Sequence, residues 1–597
     1  MRAARGPLLL ALAGALLASA MAPTGIAAAT GLLVSGLLDV PRDDVMAACV
    51  VPLAAFAAVV FVGRSARSLA DTLRYLAVQR IDGAHRSALI RLAVGTGSID
   101  VLERPRVQKL LRIAQADRQS RVERTPGVGA TAQLDLLIRG LGAVASCTLL
   151  AGYAWWLVPA LLGPALASRA FARRQCVRHI AVQQKGVMEG IRADHWNRLA
   201  TEWTGGKEVR TFGLAEWAVD RSREHALAMF RPRWAAEARN NREQWITAVI
   251  IGPPLVTVYL LMVLKAAHGD FPVAGLTTVL MAGWALLQTL VPTDVFDIEG
   301  GLVGLRAYER LRAELSAHRD KVPHRLPVGP RPPVVRFERV SFTYPGTDRQ
   351  ILQELDLEIR PGELLAIVGL NGAGKSTLIK LLSGLYRPTS GRITADGTDI
   401  AQVAAAEWHQ QLSVVFQDFV RYRFSAAENV SLGRAGRPAD RAAVQAAAGE
   451  AGLHEVLSRL PQGWDTPLSR SCAGGVDLSG GQWQQFVLAR ALYAVRSGAR
   501  VLVLDEPTAH LDVRTEFEVF KRLTEHRADA SVVLISHRLS TVRQADRIVL
   551  LDGGRVTECG THDELMALGG TYADLFLTQA SRFGEGFDQL VQEGEVR

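Results

Sequence analysis

Cysteine is scarce in this chain and never paired. Cys49, Cys147, Cys176, Cys472 and Cys559 are the five among 597 residues, without the close spacing of a zinc site or a disulfide framework. A metal-clamped or disulfide-stapled domain is excluded, and free thiols suit a reducing compartment or lipid. Internal repeats and low-complexity tracts are also lacking. The charge is lopsided, with a formal net value of +9. Much of that excess lies in connections between apolar runs, so it reads as an orientation signal and not as a nucleic-acid footprint.

What is present divides sharply near residue 300. The first part is long apolar runs broken by arginine-rich connections; the rest has the mixed composition of a globular domain. MRAARG followed by an apolar run and by Ala18 to Ala20 imitates a secretory signal, but the uncharged run continues from Gly6 to Leu38. That exceeds a signal core and suits a helix needing about 20 apolar residues to span a bilayer. Val45 to Gly63, Gln244 to Leu264 and Phe271 to Thr293 are further spans. The tract from about Gly127 to Ser168 is too long for one; Gly152, with Trp155, Trp156 and Pro159, divides it in two. This predicts six spans. Arg64 to Arg124 and Arg169 to Arg242 are long and basic, whereas Asp39 to Asp44 and Lys265 to Asp270 are short. The long connections, and both chain ends with them, are expected in the cytoplasm of a multi-pass plasma-membrane protein.

Beyond the proline-rich stretch Leu326 to Pro333, a buried-strand pattern at Leu364 to Leu370 runs into GLNGAGKS, Gly369 to Ser376, and then into a helix. Strand, glycine-rich loop and helix form the context of a phosphate-binding loop. Gly369, Gly372 and Gly374 let backbone amides approach phosphate, Lys375 reaches the β and γ groups, and Ser376 ligates Mg²⁺. A second apolar strand, Val501 to Leu504, ends in Asp505 and Glu506. Asp505 suits the magnesium shell, and Glu506 suits the orientation or deprotonation of an attacking water. Between them stands LSGGQ, Leu478 to Gln482. Its serine and glycines leave donors at a helix start that need a phosphate from elsewhere.

With these motifs in this order the chain resembles an ATP-binding cassette exporter half-transporter of bacterial type over nearly its whole length. The resemblance implies an all-α polytopic membrane domain with six transmembrane helices, followed by an α/β P-loop ATPase domain with a helical signature subdomain. The expected boundaries are 1–325 for the membrane domain with its cytoplasmic extensions, 326–333 for the linker, 334–580 for the nucleotide-binding domain and 581–597 for a tail. It also implies that Tyr344 stacks on adenine, that Asn371, Ala373 and Thr377 complete the phosphate cradle, and that Gln417 senses Mg²⁺ and contacts the membrane domain. His537 resembles the switch histidine on the γ-phosphate, and Asp512 resembles the acidic residue linking two ATP sites. Ser479, Gly480, Gly481 and Gln482 would reach ATP held by a second cassette. One chain holds one cassette, so a homodimer, or a pair with a related half-transporter, is expected. The catalytic set is Glu506, His537 and Lys375; the metal set is Ser376, Gln417 and Asp505; the cofactors are ATP and Mg²⁺.

Some positions depart from the exporter pattern. SCAGGVD precedes LSGGQ where an acidic stretch is common, Trp483 and Gln485 stand where basic residues are usual, and Arg421, Tyr422 and Arg423 follow Gln417. Ser98 to Val107 and Gly205 to Leu214 resemble the loop segments that dock onto cassettes. Asp294, Asp297 and Glu299 lie about one bilayer length into the last span. They read as a solvated face, with the mouth of a cation-attracting cavity as the alternative; Asp135 and Arg139, one turn apart, pair with each other. No peptidase-like segment precedes the first span, so leader cleavage during export is not expected. The expected activity is ATP-driven export or flipping of an amphipathic, peptide-like, drug-like or lipid substrate by alternating access, with membrane lipid and no nucleic acid as partner. The alternatives are an ATP-gated channel or membrane-bound regulatory ATPase, and an importer built on the exporter fold.

Overall fold

The computed structural model describes residues 6–38, 45–96, 98–115, 124–290, 292–316, 329, 331–436, 438–507, 530–536 and 538–583. Its contacts divide the chain into two units. The first is Met1–Gly95 with Glu103–Ala317; the second is Thr96–Leu102 with His318–Arg597.

The first unit is entirely helical among the described residues: α1 (Gly6–Leu38), α2 (Val45–Val94), α3 (Asp100–Glu103, shared in part with the second unit), α4 (Pro105–Gln115), α5 (Pro126–Ala151), α6 (Leu157–Lys185), α7 (Val187–Thr201), α8 (Trp203–Thr211), α9 (Ala215–Ala267), α10 (Val273–Leu290) and α11 (Val295–Ser316). α5 starts where Thr125 caps it, its hydroxyl accepting from Val128 N, with Pro126 in the first turn. It stops at Gly152, so the long tract is two helices, as its composition predicts. The arginine-rich connections open as continuations of α2 and α6, which run on to Val94 and Lys185, and the second ends within α9, where Pro232 is tolerated. Among the described residues, five stretches are long and apolar enough to cross a membrane: Gly6–Leu38, Val45–Val94, Pro126–Ala151, Ala215–Ala267 and Val273–Ser316. α6 falls short of the six-span expectation by composition, because arginines begin at Arg169, soon after its apolar first half. Small residues let helices close up: a Cβ on Gly301 of α11 would lie 2.8 Å from Gly129 Cα of α5.

The acidic positions of the last span do not form a solvated face. A short 3₁₀ turn, Pro292–Asp294, lies ahead of α11, and Asp294 and Glu299 are only 3% and 7% exposed. Arg169 grips Asp294 with both terminal nitrogens at 3.1 and 2.5 Å, and Arg173, one turn further along α6, donates to Glu299 at 2.7 Å. Asp297 faces Arg124 at 2.7 Å and Arg74 at 3.7 Å. Asp135 and Arg139 do pair, at 2.6 Å. Burial of a carboxylate demands a partner, and α6 supplies two.

Among the described residues the second unit holds two sheets. β1 (Val335–Thr343), β2 (Gln350–Ile359), β4 (Ser390–Ala395) and β5 (Thr398–Asp399) form an antiparallel sheet in the order β2-β1-β4-β5. The other runs β10-β9-β3-β8-β7-β6, from β3 (Leu364–Val368), β6 (Leu412–Val415), β7 (Val501–Asp505), β8 (Ser531–Ile535), β9 (Arg547–Asp552) and β10 (Arg555–Gly560). It is parallel except at β10. β3, β7 and β8 are buried throughout, as parallel strands covered on both faces must be. Helices α12 (Lys375–Leu382), α13 (Ala405–Gln411), α14 (Ala426–Ser431), α15 (Arg441–Glu450), α16 (His454–Ser458) and α17 (Gly480–Arg496) complete the part used below. Within this unit Ser98 Oγ and Ile99 N both donate to Leu385 O at 2.9 Å, so the first half of the expected docking segment is held by cassette backbone. Gly205 to Leu214 belongs to the first unit.

Candidate nucleotide-binding site

In a parallel sheet ligands gather beyond the carboxyl ends of the strands, and β3, β6 and β7 there deliver the phosphate loop, Gln417 and the acid pair. The loop turns because Gly369, Gly372 and Gly374 take φ of 152°, 83° and 106°. A Cβ on Gly369 would meet the backbone Leu551 O at 2.2 Å, and one on Gly374 would meet Leu352 Cδ2 at 2.7 Å and be strained by its positive φ. Lys375 Nζ donates to the carbonyls of Gly369 (2.7 Å) and Leu370 (3.0 Å), closing the loop on itself. Burial lowers its pKa, opposed by Glu506 and Asp505. Asn371 and Ala373 lie within the same turn. Ser376 and Thr377 are the second and third residues of α12, where backbone N–H groups have no helical partner.

Asp505 is 4% exposed. Burial and then the adjacent Glu506 push its carboxyl up to about 6, against a hydrogen bond from Ser376 and the charge of Lys375; Asp418 raises it further. Glu506 holds φ at 48°, a left-handed conformation costly for a side chain that turns it out of the strand. Its N–H is tied to Ile535 O at 3.0 Å, and Gln417 Nε2 donates to its Oε2 at 3.2 Å. The buried Asp505 carboxylate, beside the Ser376 hydroxyl and Lys375, suits a divalent cation bound with phosphate.

Ser479 caps α17. Its hydroxyl accepts from Gln482 N at 3.3 Å, and Gln482 Oε1 accepts from Ser479 N at 2.9 Å. The Gln482 side chain is therefore committed to the cap, and Gly480 and Gly481 carry the first N–H groups of the helix. Tyr344 follows β1 and lies beside α12, in edge contact with Phe342 and Tyr386. His537 and Asp512 lie outside the described residues.

Among the departures flanking these motifs Trp483 turns inward, whereas Arg421, Tyr422 and Arg423 are exposed. Trp483 is 1% exposed in the helical core, and Gln485 donates to Gly452 O at 3.4 Å. Tyr422 lies under the guanidinium of Arg490, 4.8 Å from its ring centre, while Arg490 donates to Asn429 O and Oδ1. Asn429 in turn donates to the carbonyls of Tyr422, Phe424 and Ser425. Sequence reasoning missed Asn429, Arg490, Lys380 and Tyr386, which carry no motif spacing of their own.

The second unit has the fold of an ATP-binding cassette, and within it residues 352–509 match the family model described as ABC transporter. The chain has the ABC exporter fold, a helical multi-pass membrane unit followed by the cassette. A bacterial Atm1-family ABC exporter with ATP bound superposes with a TM-score of 0.80 at 25% identity, covering 96% of this chain and 99% of the other. An ATP-dependent lipid A-core flippase of Cupriavidus pinatubonensis is 35% identical over 64% of this chain and 64% of its own length. A cyclolysin secretion/processing ATP-binding protein of Bordetella pertussis is 42% identical over 42% of this chain and 34% of its own length. A mycobactin import ATP-binding/permease protein of Mycolicibacterium thermoresistibile is 40% identical over 41% and 26%. The chain thus spans less than two thirds of the length of these curated relatives.

Proposed function

We propose that two copies of this chain form an ATP-hydrolysing transporter of the plasma membrane, with cassettes in the cytoplasm, that exports or flips an amphipathic lipid, peptide-like or drug-like substrate by alternating access. The observation that carries the reading is the gathering of Lys375, Ser376, Gln417, Asp505 and Glu506 beyond the carboxyl ends of β3, β6 and β7, with the capped helix start at Ser479 apart from them. Ser376, Gln417 and Asp505 would hold Mg²⁺, whose charge, when bound, offsets that developing on the phosphates. Lys375 and the amides of α12 would orient the β and γ groups, and Glu506, aimed by Gln417, would take the proton of the attacking water. Ser479, Gly480 and Gly481 would close on ATP held by the partner copy. A nucleotide that prefers the closed pair shifts the population toward it.

Coupling is assigned to Ser98 to Val107, part of which is hydrogen-bonded to Leu385, and to Gly205 to Leu214. His537 and Asp512 keep the roles that the family resemblance implies. The relatives' names include flipping, secretion and import, so direction is tested directly. ATP-driven accumulation of a fluorescent lipid or peptide in inside-out vesicles supports export. Uptake in right-side-out vesicles replaces it with import, and passive flux down a gradient replaces it with a channel.

A further inference from the structure

An aromatic residue that only stacks on a base needs a ring and no hydroxyl, yet Tyr344 places its hydroxyl 3.1 Å from Thr377 Oγ1. Lys380 Nζ lies 3.4 Å from the same oxygen. An ammonium has donors only, so Lys380 donates and the Tyr344 oxygen accepts. Either oxygen can donate across that contact; with the phenol donating, the arrangement the Lys380 contact favours, the threonine keeps its own hydrogen to give away. Thr377 is buried in the first turn of α12, whose N–H groups already favour an anion.

The ring is fixed as well as the hydroxyl. Tyr344 stands edge-on to Phe342 at 4.9 Å and to Tyr386 at 5.4 Å, and the Lys380 ammonium lies 5.4 and 5.7 Å from the centres of Tyr344 and Tyr386. Lys380 sits three residues after Thr377, on the same face of α12. From this geometry we infer that Tyr344, positioned by Lys380, serves the phosphate groups of the nucleotide through Thr377 and not the base alone. The inference rests on the nucleotide-binding reading above. It makes Lys380 a positioning residue and assigns the tyrosine hydroxyl a task that phenylalanine could not perform.

The test separates base from phosphate. Full-length protein in lipid nanodiscs is titrated at equilibrium, in EDTA so that nothing turns over, with ATP and with tripolyphosphate, which has the phosphates and no base. Tyr344→Phe keeps the ring and is expected to weaken both ligands about five-fold, the loss of one hydrogen bond. Lys380→Met is expected to weaken both, and the double variant to bind no worse than the sum of one lost relay, that is, less than additively. Tripolyphosphate binding unchanged in Tyr344→Phe overturns the inference, whether or not ATP binding falls. Strict additivity of the two substitutions overturns the role of Lys380. Wild-type protein that binds neither ligand overturns the nucleotide reading, and the inference with it. Unchanged melting temperatures show that the variants are folded.

Discussion

In the membrane unit Asp294 and Glu299 are buried and each is met by a guanidinium, whereas in the cassette the buried Asp505 is crowded by the carboxylates of Glu506 and Asp418. The first arrangement is complete in itself, because the charges cancel within the bundle. The second is not. Like charges gathered with a raised pKa and a strained backbone are what the proposed magnesium and nucleotide would relieve. The same residue type therefore serves cohesion in one unit and chemistry in the other, and only its partners distinguish the two.

Substitutions that remove charge should break this contrast unequally. Glu506→Gln should lower steady-state ATP hydrolysis by at least about a hundred-fold while ATP still binds; near-normal turnover of the purified variant would remove Glu506 from its role. Asp294→Asn should destabilise the membrane unit by about 3 kcal/mol by leaving Arg169 buried without its counter-charge. A second change, Arg169→Gln, should recover part of the loss in a detergent melt; no recovery would mean the pair is not the cause.

A pH titration sharpens the cassette side. The carboxyl of Asp505 lies at about 6 in the fold, above its ordinary 3.8, so between those values the folded chain binds more protons than the unfolded one. Stability of the nucleotide-free protein then falls as pH rises from 4 to 6, and the cost of the ionised group is fully present above 6. Asp505→Asn should accordingly raise the nucleotide-free melting temperature at pH 7 and flatten its rise on acidification, while abolishing the magnesium-dependent part of ATP binding. The smallest effect is expected for Ser479→Ala, which removes the cap of α17 at about 1 kcal/mol; differential scanning fluorimetry of the full chain measures it, and an unchanged melt would show the cap to be dispensable.

Much of the cassette was legible from neighbouring residues. The turn of Gly369 to Gly374 and the helix start at Ser479 depend on atoms a few positions away, so their spacing is their mechanism, and the acids after Val501 to Leu504 were legible as the end of an apolar strand. Gly152 as a break within the long apolar tract was legible for the same reason. The acidic cluster was not, because Asp294 finds Arg169 across 125 residues, and nothing local distinguishes a paired buried carboxylate from a solvated one. Trp483 and Tyr422 read only as departures from the exporter pattern; the fold places one in the helical core and the other, still exposed, under Arg490.

Local chemistry in the chain thus determined the phosphate loop, the order of cassette motifs and the apolar lengths, since backbone conformation and hydropathy depend on near neighbours. Tertiary structure decided which charges cancel, that Gln417 meets Glu506, and that the Tyr344 hydroxyl reaches Thr377. Those facts depend on side chains brought together by sheet order and helix packing, and a hydrogen bond or ion pair exists only at the distance that the fold sets.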